Sequence, residues 1–162
     1  EAHDEIILEN INSSVGVDDT FYILGDFTVG SNSGSIKMEK SIAYQHYRSR
    51  IRCKNIIYIR GNHSLDKSKL RELNIFSRVC DYHELRHKKN LICMFHYPIH
   101  SWNGMSKHSY HFFGHEHKGR VRGRSMDVGL DGNNFKPHKL DDVIEFLSTQ
   151  LILTEGHHAQ YR

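Results

Sequence analysis

Apolar and polar positions follow two rhythms along this chain, and these predict where helices and strands lie. In "HDEIILENINSSV" the apolar residues Ile7, Leu8, Ile11 and Val15 recur at helical spacing. "SIKMEKSIAYQHYRSRI" reads as a long amphipathic helix, "DKSKLRELN" as a short one and "KLDDVIEFLST" as a last one. Between them lie short β-rich apolar runs, "TFYILGD" and "KNIIYIRGNH". "SRVCDYHEL" and "NLICMFHYP" are expected to form a hairpin that turns at "RHKKN". "HSYHFFGHEH" predicts a further strand, "GRVRGRSMDVGLD" short strands and turns, and "QLILT" a final strand. Strands alternate with helices early and cluster later, which indicates α/β layers around a mixed sheet or sheets. With no repeat, low-complexity stretch or linker, residues 1–150 read as one domain and 151–162 as a C-terminal tail.

Composition narrows the class. A chain of 162 residues can bury a sizeable core. The formal charge of +3 is small and its Lys and Arg are scattered, a weak hint of an anionic substrate. Runs such as "LICMF" are far shorter than the roughly 20 residues that cross a bilayer, and no signal-peptide pattern is present. Cys53, Cys80 and Cys93 stand far apart without a C-x-x-C, so neither a disulfide framework nor a cysteine zinc site is expected, and a reduced, cytoplasmic setting fits. The chain opens on Glu1 rather than Met, as a processed or incomplete product would. The unusual number is 14 histidines, most of them read as surface residues.

Some of those histidines fall at a pattern of places. Asp26 ends the first apolar run, Asn62 and His63 the second, His96 the third, and His115 and His117 the fourth. Ligands of α/β sheets bind at the carboxyl ends of strands. Gly25, Gly61 and Gly114 precede three of these ends, where glycine permits a tight turn into a crevice. Any one of these ends alone is weak. Together they form a set that is costly to bury without something to coordinate. The donors are oxygen and nitrogen without sulfur, which suits Mn, Fe, Zn or Ni rather than Ca. A carboxylate such as Asp26 can bridge two cations. Two metals about 3.5–4 Å apart clamp a phosphoryl group and activate water.

The ordered motifs "GD", "GNH", "FHYP" and "GHEH" resemble the calcineurin-like metallophosphoesterases, closest to the small, capless bacterial and phage-type members. The likeness runs from about His3 to about Phe146 and includes "DVGLDGNNFKPHKLDDVIEF". It implies a four-layer α/β/β/α sandwich with the site at one rim. It also implies two divalent metals and hydroxide attack in line on phosphorus. By this resemblance Asp26 bridges the metals, Asn62, His96 and His115 complete one site, and His117 belongs to the other. His63 does not ligate; it stabilises the transition state or protonates the leaving alkoxide.

Two departures stand out. Such enzymes begin with a strand ending in Asp-x-His, and His3-Asp4, at a helix start, does not substitute for it. Three readings stay open: a segment absent from this chain, a natural fragment with one metal or none, or a displaced motif in which Glu155 and His157 follow "QLILT". The second departure is Ser64, where the family usually has an acid after Gly-Asn-His; Asp66 is a candidate substitute.

His100 and Trp102 are candidate pocket-wall residues, while His108 and His111 read as solvated or packed. Arg60 reads equally as a phosphate contact or a surface arginine. Arg120, Arg122 and Arg124 read as a solvated face in preference to a nucleic-acid contact, since no aromatic residues interleave them. The expectation is therefore a metal-dependent phosphoesterase acting on a phosphorylated small molecule or nucleotide, with an open site, since no lid-length insertion is visible. The alternative is an inactive or one-metal relative that serves as a binding or assembly module.

Overall fold

Two apolar runs, β1 (Thr20–Leu24) and β2 (Asn55–Ile59), lie side by side and parallel, with Leu24 opposite Ile59. The structure, a computed structural model, describes residues 2–28 and 38–154. β3 (Arg78–Cys80) adds parallel to β2, giving a three-stranded sheet in the order β1-β2-β3. β2 is apolar from Ile56 to Ile59 because it is central and covered on both faces: Ile56, Tyr58 and Ile59 are fully buried, and only Asn55 at its start is polar and exposed.

One face of this sheet carries three helices, α1 (Ala2–Ser14), α2 (Lys40–Ser49) and α3 (Lys67–Leu73). Leu8 and Ile11 of α1, Tyr44 of α2 and Leu70 of α3 meet Ile56 and Tyr58 in a single core. Asp66 caps α3 by accepting from the Lys69 amide, and Asn74 ends it in the left-handed conformation. α2 is shorter than its amphipathic pattern predicts. Glu39 is extended at its start, and residues 35–37 of the pattern lie outside the described residues.

The second sheet has five strands in the order β4-β5-β6-β8-β7. These are β4 (Tyr82–His87), β5 (Asn90–Phe95), β6 (Ser109–Phe113), β7 (Val121–Arg122) and β8 (Ser125–Asp127). The predicted hairpin is present as β4–β5, but "SRVCDYHEL" is not one strand. It is cut at Asp81, so that β3 belongs to the first sheet and β4 to the second. Asp81 is held there by Arg60 Nε at 2.6 Å and Lys67 Nζ at 3.6 Å. β4 is an edge and alternates exposed with half-buried residues, whereas β6 is buried at every position.

Ile59 of the first sheet shares a core with Ile92 and Met94 of β5, Tyr110 and Phe112 of β6, and Val143, Ile144 and Leu147 of α4 (Leu140–Ser148). His87 and Lys88 of the hairpin both engage Asp141 in the first turn of α4. The opposite face of the second sheet is covered by Trp102 and Met105 rather than by a regular helix. "QLILT" is not a strand. Leu153 packs against Gly123 and Leu151 is 75% exposed, and residues 151–154 join no ladder. Among the described residues no helix is long and apolar enough to cross a membrane.

His111, fully buried on β6, is a satisfied core histidine. Its Nδ1–H donates to the Cys93 carbonyl at 3.0 Å, and its Nε2 accepts from the Ile99 amide at 3.2 Å. Burial lowers its pKa below the ordinary 6.5 and does the same for His138. Both rings are therefore neutral in the folded protein over a pH range in which the unfolded chain protonates them. Their stabilisation is fully present above pH 6.5 and is lost as pH falls toward the lowered folded values. The urea midpoint is expected to drop between about pH 7.5 and pH 5, and to drop less in a His111→Gln/His138→Gln variant. An equal drop in the variant would show that other groups control the acid limb.

Candidate metal centre

The ends of β1, β2, β5 and β6 converge on one rim. Gly25 leaves β1 at φ 91°, and Asp26 follows at φ 49°. His115 and His117, after β6, stand at φ 69° and 57°. Non-glycine residues in this region are strained, and such strain concentrates at functional sites.

His96 follows β5 and is 1% exposed. Its Nδ1–H donates to the Leu24 carbonyl at 2.8 Å, which ties the second sheet to the end of the first. In the neutral ring Nε2 then holds a lone pair. That lone pair lies 2.9 Å from Asn62 Oδ1 and 3.3 Å from Asp26 Oδ2. His115 Nδ1 lies 3.2 Å from the same Asn62 oxygen. Ligand atoms of Asp26, His96 and His115 all fall within 4.8 Å of one another. His96 Nε2 and Asp26 Oδ2 are both acceptors facing one another in a partly buried site, an arrangement that a cation between them would satisfy. The set fits a borderline divalent ion by donor type. It also fits by its outer shell, since a ligating histidine commonly gives its other N–H to a carbonyl. Four of the predicted residues, Asp26, Asn62, His96 and His115, are thus brought together.

The glycines matter by close approach more than by turning. A Cβ on Gly25 would stand 2.1 Å from His96 Nδ1, one on Gly61 2.3 Å from Asp26 Oδ1, and one on Gly114 2.9 Å from the Leu24 carbonyl. Gly61 and Gly114 do not adopt positive φ, so their role is to leave room for the ligands.

His63, which is exposed, sits beside the cluster: its backbone N–H donates to Asp26 Oδ1 at 2.9 Å. His117 is not drawn into the group. Its Nδ1–H donates to the Asp131 carboxylate, a partner that sequence reasoning missed. Glu155 and His157 lie outside the described residues. His3 and Asp4 lie in the first turn of α1, as expected; His3 packs edge-on against Phe135 and Asp4 accepts from the Tyr47 hydroxyl. Fully buried Asp127 was also missed. It accepts from the Lys118 amide at 3.1 Å and the Gly129 amide at 2.9 Å, bracing the turn that carries His115 and His117. The sequence sign was a lone Asp at the end of a β run.

Arg60 is committed to Asp81, and Arg120, Arg122 and Arg124 bond to Glu116, His100 and Ser148 within the chain. Trp102 is buried against His111. Asp26, His96, His115 and His117 line a cleft of about 1940 Å³ that continues along the whole of β1. Asn62, His63 and His115 are solvent-exposed, as in an open site.

No family model matches the chain, and no curated protein matches it. Its fold is similar to the crystal structure of a protein of unknown function from Aquifex aeolicus, with a TM-score of 0.66 and 21% identity over 90% of this chain and 86% of that one. At that identity the likeness is one of fold, and it extends over nearly the full length of both chains.

Proposed function

We propose that this chain is a metal-dependent phosphoesterase, with the four-layer sandwich of that class and its site at the strand-end rim. The observation that carries the reading is the convergence of Asp26, Asn62, His96 and His115 around one point, with His63 hung on the free oxygen of Asp26. A divalent ion bound there supplies Lewis acidity toward a phosphoryl oxygen and lowers the pKa of water. Asp26 provides the anionic donor and holds the His63 turn. His96, locked through Leu24, offers its lone pair in a fixed direction. Asn62 contributes a neutral oxygen between the two imidazoles. His63 is exposed and anchored to Asp26 by its backbone amide, and in this reading its imidazole hands a proton to the departing alkoxide.

The residues that converge suit one ion directly. The engagement of His117 with Asp131 favours a second reading, a one-metal or silent relative used as a binding module. Turnover of a generic aryl phosphodiester with added Mn separates the two. The phosphoesterase reading fails if Mn binds and no phosphate ester is cleaved.

His63→Ala is expected to lower kcat by about 10²–10⁴-fold while leaving KM and bound Mn nearly unchanged. The loss should be smaller for a nitrophenolate leaving group, which needs no proton. Equal loss for alkyl and nitrophenyl esters would remove the acid role.

A further inference from the structure

The two turns that supply Asp26 and Asn62 are joined beneath the cluster by a buried hydroxyl. Tyr58, on β2, is fully buried, and its ring is stacked on Phe76 with centroids 4.7 Å apart. Its oxygen lies 2.5 Å from Ser64 Oγ and 3.0 Å from the Tyr44 hydroxyl. It also accepts from the backbone N–H of Phe27, the residue after Asp26, at 3.4 Å. Ser64 Oγ in turn accepts from the Gly61 amide at 2.8 Å, closing the turn that carries Asn62 and His63. Above, the same two turns are joined a second time, by His63 N–H to Asp26 Oδ1. Tyr58 is rigid because its ring is packed by Phe27, Tyr44 and Phe76 on the helical side of the sheet.

We propose that Tyr58, acting through Ser64, is a positioning residue that sets the spacing of Asp26 and Asn62 and so tunes metal affinity. This rests on the reading of the cluster as a metal site. The physical reason is that the two ligands belong to separate turns, each following a different strand. Neither strand ladder reaches the turns: the last paired residues are Leu24 and Ile59. A hydroxyl that meets the Phe27 backbone directly and the Gly61 backbone through Ser64 Oγ replaces the missing ladder rungs. The side chain at position 64 then works as a hydrogen-bonding hinge rather than as a charged partner of His63. Outer partners of metal ligands commonly change affinity 10–100-fold.

The test is calorimetric titration of the full chain with Mn alone, with melting temperature as a check on folding. Tyr58→Phe and Ser64→Ala are each expected to weaken Mn binding about tenfold, and the double variant no more than either one. Ser64→Thr, which restores a hydroxyl, should recover affinity. Tyr47→Phe, which removes a hydroxyl bonded to Asp4 of α1 and not to either turn, should leave it unchanged. If the parent binds Mn and Tyr58→Phe and Ser64→Ala bind equally well, the positioning role is overturned while the metal site stands. If the parent itself binds no Mn, the metal reading fails, and this inference with it. A lowered melting temperature with unaltered affinity would mark Tyr58 as merely structural. Should Tyr58→Phe not fold, Ser64→Ala and Ser64→Thr carry the test.

Discussion

Asp26→Asn is expected to weaken divalent-metal binding by about 100-fold or more, the upper end of what outer-shell changes alone produce, and to do so without unfolding the protein. Asp26 is the only carboxylate in the converging set, and its side chain is 13% exposed. Its two oxygens have separate tasks: Oδ1 accepts the His63 amide, and Oδ2 faces the lone pair of His96 Nε2. An asparagine can keep the first contact with its own oxygen and place its NH₂ group where Oδ2 was. That group donates to His96 Nε2, so the mutual repulsion that calls for a cation is relieved by a neutral hydrogen bond. The metal-free variant should therefore melt no lower than the metal-free parent, while Mn no longer raises its melting temperature. For the parent, Mn at 100 times its dissociation constant adds about 2.7 kcal/mol. Calorimetry and thermal melts with and without chelator read both quantities. Equal Mn stabilisation of parent and variant would sink the assignment of Asp26 as a ligand.

Much of this centre was legible because its parts are local. A strand that ends in Gly-Asp, Gly-Asn-His or Gly-His is visible residue by residue, and parallel strands bring their carboxyl ends to one rim. Other features depend on distance. The break at Asp81 is hidden because β-favouring residues, Val79 and Tyr82, stand on both sides of it. Only the exchange of partners, from Ile59 opposite Cys80 to Phe95 opposite Tyr82, reveals two sheets. "QLILT" has the composition of a strand, yet Leu153 packs on Gly123 and the core around Trp102 without a ladder, and Leu151 stays exposed. His117 reads like His115 in sequence, but Asp131, 14 residues on, takes its ring. Tyr58 was an apolar strand residue by pattern. Its hydroxyl gains meaning only from Ser64 and Phe27, which its own turn and a neighbouring one bring into reach.

Gly25→Ala is expected to cost roughly 2–5 kcal/mol of stability, from about 1–3 for overpacking and about 1–2 for a side chain at positive φ. The new methyl would stand 2.1 Å from His96 Nδ1 and 2.8 Å from Gly61 Cα. His96 cannot swing aside, because it is 1% exposed and bonded through Nδ1 to the Leu24 carbonyl. Two other glycines separate the contributions. Gly119 also has positive φ, at 60°, but its Cβ would meet nothing closer than Gly132 Cα at 3.7 Å, so Gly119→Ala should show the backbone cost alone. Gly61 does not have positive φ, yet its Cβ would lie 2.3 Å from Asp26 Oδ1, so Gly61→Ala should show the crowding alone and fall on a ligand as well. Urea unfolding of the three variants should place Gly25→Ala lowest, with a loss near the sum of the other two, because it carries both penalties at once. If Gly25→Ala were no less stable than Gly119→Ala, His96 would have room to move. The tight seating that directs its lone pair toward Asp26 and Asn62 would then not hold.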